Sequence, residues 1–452
     1  MASPEHRSRT GQALAVPVSW LCTTALACGL ALSACSQRLA PMPRTTPTDA
    51  PIAAEPTPTG PAGSGSGGGE PTKPITELSV WLPPDIARAS VPLQGRALLY
   101  IDALAEAADL PGSVRLATTT KSLLGPAGIV ESALATTPVM PERLPDLVLI
   151  DAAELQSLVS AGLAQPLDDA LPQEAWATFL PFAREAVTVD GTPYGAPLCT
   201  DLTLLVYGTE QAPEPPATWQ ALLRGDDLLL FPAAAGAATS DTLLTLYLSE
   251  GGSIEPRDPL IDTTALTRAL SAVQLGREAG RIHADAIDTA DADQSWAAYA
   301  TGKADMVVSS SAQLLRGGSQ LSGTAFTVVP NSGSQQVSIA HTLAWVILTT
   351  NPERQQLAFD LVRASVTDQQ QRVLARRTFH LPAVQAAIDA ETAGAWHDRL
   401  SGQLAVASPA PAFPNYDLLN RSLMWALASV LRGQAGPTEA ANLAAVRLSE
   451  QQ

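Results

Sequence analysis

Lysine is nearly absent from this chain: of 27 basic side chains only Lys73, Lys121 and Lys303 are lysine, against 44 acidic ones. The formal charge is −17, and it grows more negative once residues 1–34, with Arg7, Arg9 and Glu5, are set aside. A surface this acidic argues against nucleic acid or anionic lipid as a partner. Cysteine is also scarce, with four in the chain, three of them within the first 35 residues. Cys199 stands alone in the remainder, which excludes an internal disulfide framework and a cysteine cluster for zinc. Beyond the N-terminus no apolar run approaches the roughly 20 residues a membrane helix needs. There is no G-x-S-x-G and no H-E-x-x-H. His6 lies in the N-terminal segment, and His283, His341, His380 and His397 show no metal-ligand spacing, so no cofactor and no metal are expected.

What is present begins with an export pattern. Arg7 and Arg9 precede the apolar stretch "ALAVPVSWLCTTALACGLALSAC", and small residues gather at its end. The last four, Leu32-Ser33-Ala34-Cys35, resemble the lipobox of bacterial lipoproteins, which implies removal of residues 1–34 and a lipid on Cys35. The alternatives are an ordinary export signal and an uncleaved membrane helix. Residues 35–74 then have almost nothing to bury. Pro/Thr-rich and then Gly/Ser-rich sequence makes a semi-extended tether followed by a flexible one, about 39 residues spanning on the order of 35 Å.

Residues 75–452 are too many for one ordinary core and suggest two lobes. "ITELSVWLP" (75–83) reads as a buried strand, and "ALLYIDALAEAADL" (97–110) has helical spacing. Leu147 to Ile150 is a strand that stops at Asp151 and leads into a helix with Glu154 in its first turn, closed by Gly162. Strand and helix alternating in this way mark an α/β layer with parallel strands. Asp190-Gly191 signals a hairpin. Thr218 caps a helix beginning at Trp219, and Asn351-Pro352 opens another. Further helices are expected in "TSDTLLTLYLSEGG", "TTALTRALSAVQLGREAG", "YDLLNRSLMWALASVLRG" and "PTEAANLAAVRLSEQ". Strands are expected in "DLLLFPAAAG", from Ala304 to Val308, and in "AHTLAWVILTT".

Six blocks in this order resemble the extracellular solute-binding proteins of ABC importers, in the group that includes maltose-binding protein. They are "PDLVLIDAAELQSLVSAGLAQPLDD", "DGTPYGAPLCTDLTLLVYG" with "PPATWQALL" after it, "SWAAYATGKADM", "NPERQQLAFDLVRASVTDQQQ" and "LRGQAGPTEAANLA". The resemblance implies a periplasmic-binding-protein-like α/β fold, two lobes joined by crossing hinge strands with a cleft between them. Lobe one would comprise residues 75–199 and 340–395, and lobe two residues 200–339 and 396–452. The implied role is a non-catalytic, monomeric receptor outside the cytoplasm, held to the bacterial membrane through Cys35. It would take a small-molecule solute, a sugar or another small polar ligand, and deliver it to an ABC permease.

Candidate site residues each carry two readings. Asp151 follows a strand's carboxyl end, where α/β sheets bind ligands; it equally suits a helix cap, and one carboxylate can do both. Trp81 ends the first strand, where it either fills core or offers a stacking face to the cleft. Ser310 and Ser311, after Ser309, are hydroxyl donors for ligand or caps for the next helix. His341 stands where the family has small residues; it is a ligand contact or a structural imidazole. Tyr247 belongs to an apolar helix face. Cys199 and Thr200 would lie at the hinge, and Asp201 matches a carboxylate that accepts hydrogen bonds from ligand in carbohydrate-binding relatives. Those relatives place aromatic rings where this chain has "FPAAAGAATS" and a run of serines, which weakens carbohydrate as the ligand. The acidic stretch "DAIDTADADQ" lacks the glycine and terminal Glu of a calcium loop and reads as a solvated loop with a helix cap. Two rival readings remain: an exported lipoprotein hydrolase using Cys199 and Asp201, and a scaffold or sensor on the same fold.

Overall fold

The computed structural model describes residues 75–450, apart from 94, 126, 169, 237–240, 255–259, 318–321, 334 and 392–396. The export signal, Cys35 and the tether lie outside the described residues. So does Ser240, which shares with Asp241 the expected start of a helix.

The first strand is Glu77–Leu82, as its apolar run requires. It pairs in parallel with Arg115–Thr120 on one side and Leu147–Asp151 on the other. Leu147–Asp151 is buried at every position. Such a continuous apolar run is what a strand needs when both faces of its sheet are covered. Next to it lies the returning strand, Ser338–Ile347, antiparallel to Leu147–Asp151. Beyond that lies the thirteen-residue crossing strand, Ala196–Gly208, buried everywhere except at Asp201.

The crossing strand changes partners along its length. From Ala196 to Leu202 it pairs with the returning strand, with His341 opposite Asp201 and Leu343 opposite Cys199. From Thr203 onward it pairs with Met306–Ser310, and from Leu205 with Thr324–Thr327 as well. Leu229–Leu230 completes that side of the sheet, parallel to Met306–Ser310. The result is two α/β halves joined through strands that cross between them.

Local signals account for most element ends. Asp190 (φ 50°) and Gly191 (φ 82°) form the two left-handed positions of a hairpin turn between Thr188–Val189 and Thr192–Pro193. Thr218 accepts a hydrogen bond from Ala221 N to cap Trp219–Arg224. Asn351 caps Pro352–Ser365 through Arg354 N. Each such cap contributes about 1 kcal/mol. Helix Tyr416–Leu431 is buried along nearly its whole length; it packs against both Thr263–Glu278 and Pro437–Glu450, which also pack against each other.

Two expectations need adjustment. The helical spacing from residue 97 overruns a strand: Arg96–Leu99 pairs with Ser90–Leu93, and the helix is only Tyr100–Ala107. Its apolar residues at 97–99 serve a two-stranded ribbon, which a helical period cannot distinguish over so few positions. The strand expected to end at Val308 runs on to Ser310, so only Ser311 begins the next helix, Ser311–Gly317.

Candidate functional site

A cavity of about 390 Å³ opens where the crossing and returning strands meet the ends of the two sheet halves. Asp151, Asp201 and His341 line it, together with Ser309 and Ser310. Five further ionisable residues line it that local sequence pattern did not single out as ligand groups: Asp85, Asp241, Asp291, Asp293 and His380.

Its centre is a carboxylate–imidazole–carboxylate chain. Asp151 ends its strand and is 2% exposed. One of its oxygens accepts from Ala153 N at 3.0 Å, capping the turn that follows. The other lies 2.6 Å from His341 Nδ1. The cap and the site contact are thus made by different oxygens of one side chain. His341 Nε2 lies 3.1 Å and 3.2 Å from the two oxygens of Asp241, at the start of helix Asp241–Ser249. Thr203 on the crossing strand donates its hydroxyl to Asp241 at 2.6 Å. With an ionised carboxylate at each ring nitrogen, both nitrogens must donate, which requires the imidazolium. Burial by itself would depress the His341 pKa. Asp241 and Asp151 together outweigh burial and hold the imidazole well above its ordinary value.

A second pair flanks the first. Asp85 sits just after Pro83-Pro84, and His380 follows Phe379, whose backbone is left-handed at φ 65°. His380 Nε2 lies 2.8 Å from Asp85 Oδ2. Burial works against both charged forms; their mutual hydrogen bond prevails, raising the pKa of His380 and lowering that of Asp85.

Asp201 is held from the far side. Its Oδ1 accepts from Ser311 Oγ at 2.6 Å and from Ala312 N at 2.9 Å. Ser311 Oγ in turn accepts from Leu202 N. Ser311 is fully buried and does not line the cavity; it orients Asp201. Ser310 lines the cavity while its Oγ accepts from Gln313 N. Beside Ser309 and Ser310, Asp291 accepts from Gln294 N at 2.8 Å and Asp293 from Gln313 Nε2. The stretch that read as a solvated loop with a cap does carry that cap, and it also turns two carboxylates into the cavity.

Trp81 is 8% exposed and packs in the hydrophobic cluster around Ile129, Val148 and Val346, outside the cavity lining. The Lys121 ammonium lies 4.6 Å from its ring centroid. Thr200 and Cys199 are buried on the crossing strand, opposite Leu381 and Pro382. Burial pushes the Cys199 thiol well above its ordinary pKa, with Asp85 and Asp201 adding to the effect. Tyr247 is fully buried, its hydroxyl donating to Ser253 O. Among the described residues no three His, Cys, Asp or Glu side chains are arranged to hold a metal ion. No helix among them is long and apolar enough to cross a membrane.

The profile of one family, described as bacterial extracellular solute-binding protein, matches residues 132–399. The chain belongs to that family. The matched residues of this solute-binding protein include the crossing strand, the returning strand and the Asp151–His341–Asp241 chain. A maltotriose-binding protein of Pyrococcus abyssi is 30% identical over 78 residues, a match that spans 17% of each chain. The GacH receptor of Streptomyces glaucescens superposes with a TM-score of 0.65 at 16% identity, covering 84% of this chain and 98% of that one. Maltose-bound MalE3 of T. maritima gives a TM-score of 0.67 at 16% identity, with 83% and 100% covered. At that identity the likeness is one of fold, and this solute-binding protein shares the two-lobed fold of those receptors.

Proposed function

We propose that this solute-binding protein captures a small polar solute in the cavity between its two halves and delivers it to an ABC-type importer. The observation that carries the reading is the cavity itself. Polar side chains from both sheet halves converge in it, and His341 on the returning strand hydrogen-bonds to a carboxylate from each. A solute touching both walls favours the closed arrangement by its differential affinity for it. In this reading residues 75–199 with 340–395 move as one lobe, and residues 200–339 with 396–452 as the other. Cys199 and Thr200 belong to the pivot, and Asp151, Asp201, Ser310 and His341 contact the solute. Trp81 and Ser311 support the walls from behind.

The lipid on Cys35 and the tether would keep the receptor beside its permease, as a monomer on the outer side of the membrane. Maltotriose and maltose, named with two of the similar proteins, make sugars an obvious first set of compounds to test. Catalysis is disfavoured by the state of the one cysteine a hydrolase would use: Cys199 is 2% exposed, and its thiol is kept protonated by burial. Small-angle scattering with and without solute tests the reading. A smaller radius of gyration on saturation is expected, and a radius unchanged by a solute that demonstrably binds would refute capture by closure.

A further inference from the structure

Resting on the receptor reading, we infer that the solute is an organic cation: a compact amine with one or more ammonium groups on a largely apolar frame. Among the described residues six aspartates line the cavity, Asp85, Asp151, Asp201, Asp241, Asp291 and Asp293, against two imidazoles and no lysine or arginine. Even with both imidazoles charged, the wall carries four uncompensated negative charges. An anionic solute is repelled by such a wall, and in a cleft with apolar sides the field is focused, not dispersed.

The hydrogen-bonding capacity points the same way. Oδ2 of Asp201, of Asp291 and of Asp293 accepts no hydrogen bond from any described residue, since the bonds to these side chains all go to Oδ1. Two of the four wall hydroxyls spend their donor within the protein: Thr203 donates to Asp241 and Ser309 to Ala292 O, while Ser310 only accepts, from Gln313 N. Thr242 is the second open donor. It lines the cavity at 2% exposure, and its hydroxyl has no hydrogen-bond partner among the described residues. The cavity therefore offers an excess of acceptors, a net negative field and two open hydroxyl donors. A neutral polyol wants donors and acceptors in balance; an ammonium brings only donors and positive charge.

The remaining wall is aliphatic, with Leu124, Leu202 and Leu343 among its members, and no aromatic ring of the described residues lines it. That suits the methylenes of an amine better than the face of a pyranose. A metal ion is a poor match, because among the described residues no three carboxylate, imidazole or thiol groups gather to hold one. At about 390 Å³ the cavity lies at the small end for ligand sites, so the frame is compact.

Isothermal titration of the full chain with putrescine, spermidine and glucosamine, beside maltose and maltotriose, tests this. The titrations are run at low and at high ionic strength, and repeated on Asp201→Asn and Asp293→Asn. Each substitution keeps the Oδ1 acceptor that Ser311, Ala312 or Gln313 uses and replaces the charged Oδ2 acceptor by a neutral amide donor. Amine binding is expected, weakened about tenfold or more by either change and by salt. Thr242→Val, which alters no charge, should weaken it several-fold, and melting of each apo variant checks that it folds. Sugar binding without amine binding overturns the cationic solute and leaves the receptor reading standing. Amine binding indifferent to both Asn variants also overturns it. If no probe binds and scattering shows no compaction with any of them, the receptor reading falls with it.

Discussion

Replacing His341 by alanine removes the one cation between Asp151 and Asp241. The two carboxylates are then left facing each other in a site where Asp151 is 2% and Asp241 12% exposed at the side chain. Breaking a buried ion pair by deleting one partner costs about 3–5 kcal/mol. Water reaching the 15%-exposed imidazole places this case at the lower end, about 3 kcal/mol. The folded part, residues 75–450, unfolds with an entropy near 0.8 kcal/mol/K at ~2.1 cal/mol/K per residue, so the melting temperature falls by about 4 °C. The pH dependence separates this from simple loss of packing. His341 has a folded pKa raised above its unfolded value, so its contribution is complete below about pH 6.5 and disappears as pH rises through the raised value. Calorimetry of wild type and His341→Ala at pH 6, 8 and 10 should show the gap at its widest at pH 6, narrowing in alkali. A gap below about 1 °C at pH 6, or one of constant size across the series, would refute the ion-pair account.

Glu154 presents the opposite sign. It is 3% exposed, one of its oxygens has no partner, and burial with Asp151, Glu131 and Asp417 nearby raises its pKa to about 9. Ionisation is favoured in the unfolded chain above about pH 4.5 and resisted in the fold, so Glu154→Gln should stabilise by about 1–3 kcal/mol at neutral pH. That gain should vanish near pH 4, and a loss of stability at neutral pH would contradict it. Cys199 in the native protein should be inert to a thiol reagent at pH 8 and react at full stoichiometry in denaturant; rapid native labelling would revive the hydrolase reading. Cys35→Ser should release the protein from the membrane fraction and abolish palmitate incorporation, whereas unchanged fractionation would remove the lipid anchor from the proposal. Asp146 accepts from Ser79 N at 2.8 Å and from Arg354 at 2.6 Å while 5% exposed, so Asp146→Ala should cost about 3 kcal/mol by chemical denaturation. A cost under 1 kcal/mol would mean that water replaces it.

Strand ends and caps carry their reasons locally, which is why Leu147 to Asp151, Asp190-Gly191, Thr218 and Asn351-Pro352 could be read from the chain alone. Asp151 and His341 were legible as candidates for the same cause: each follows or occupies a strand whose position in an α/β layer is predictable. Their partnership was not. His341 meets Asp151 across 190 residues and Asp241 across 100, and His380 meets Asp85 across 295. Nothing in the neighbourhood of Asp241 or Asp85 distinguishes a carboxylate bound for a cleft from one that caps a helix. Asp291 caps its helix as expected, but the place of Asp291 and Asp293 on the cavity wall was hidden for a related reason. Acidic residues at a helix start look solvated until the strand Met306–Ser310 is known to end beside them. Trp81 was open between core and cleft, since a strand-end aromatic faces either layer, and here the covered one prevailed.

The crossing strand also governs when this protein can begin to fold. Ala196–Gly208 finds its neighbours in Met306–Ser310, Thr324–Thr327 and Ser338–Ile347, all of them far downstream. The first sheet half is in the same position: Leu147–Asp151 pairs on its outer side with Ser338–Ile347. Neither core can close until the returning strand has been made, so an emerging chain leaves these largely apolar strand edges unpaired for most of its synthesis, and it is open to aggregation throughout that interval.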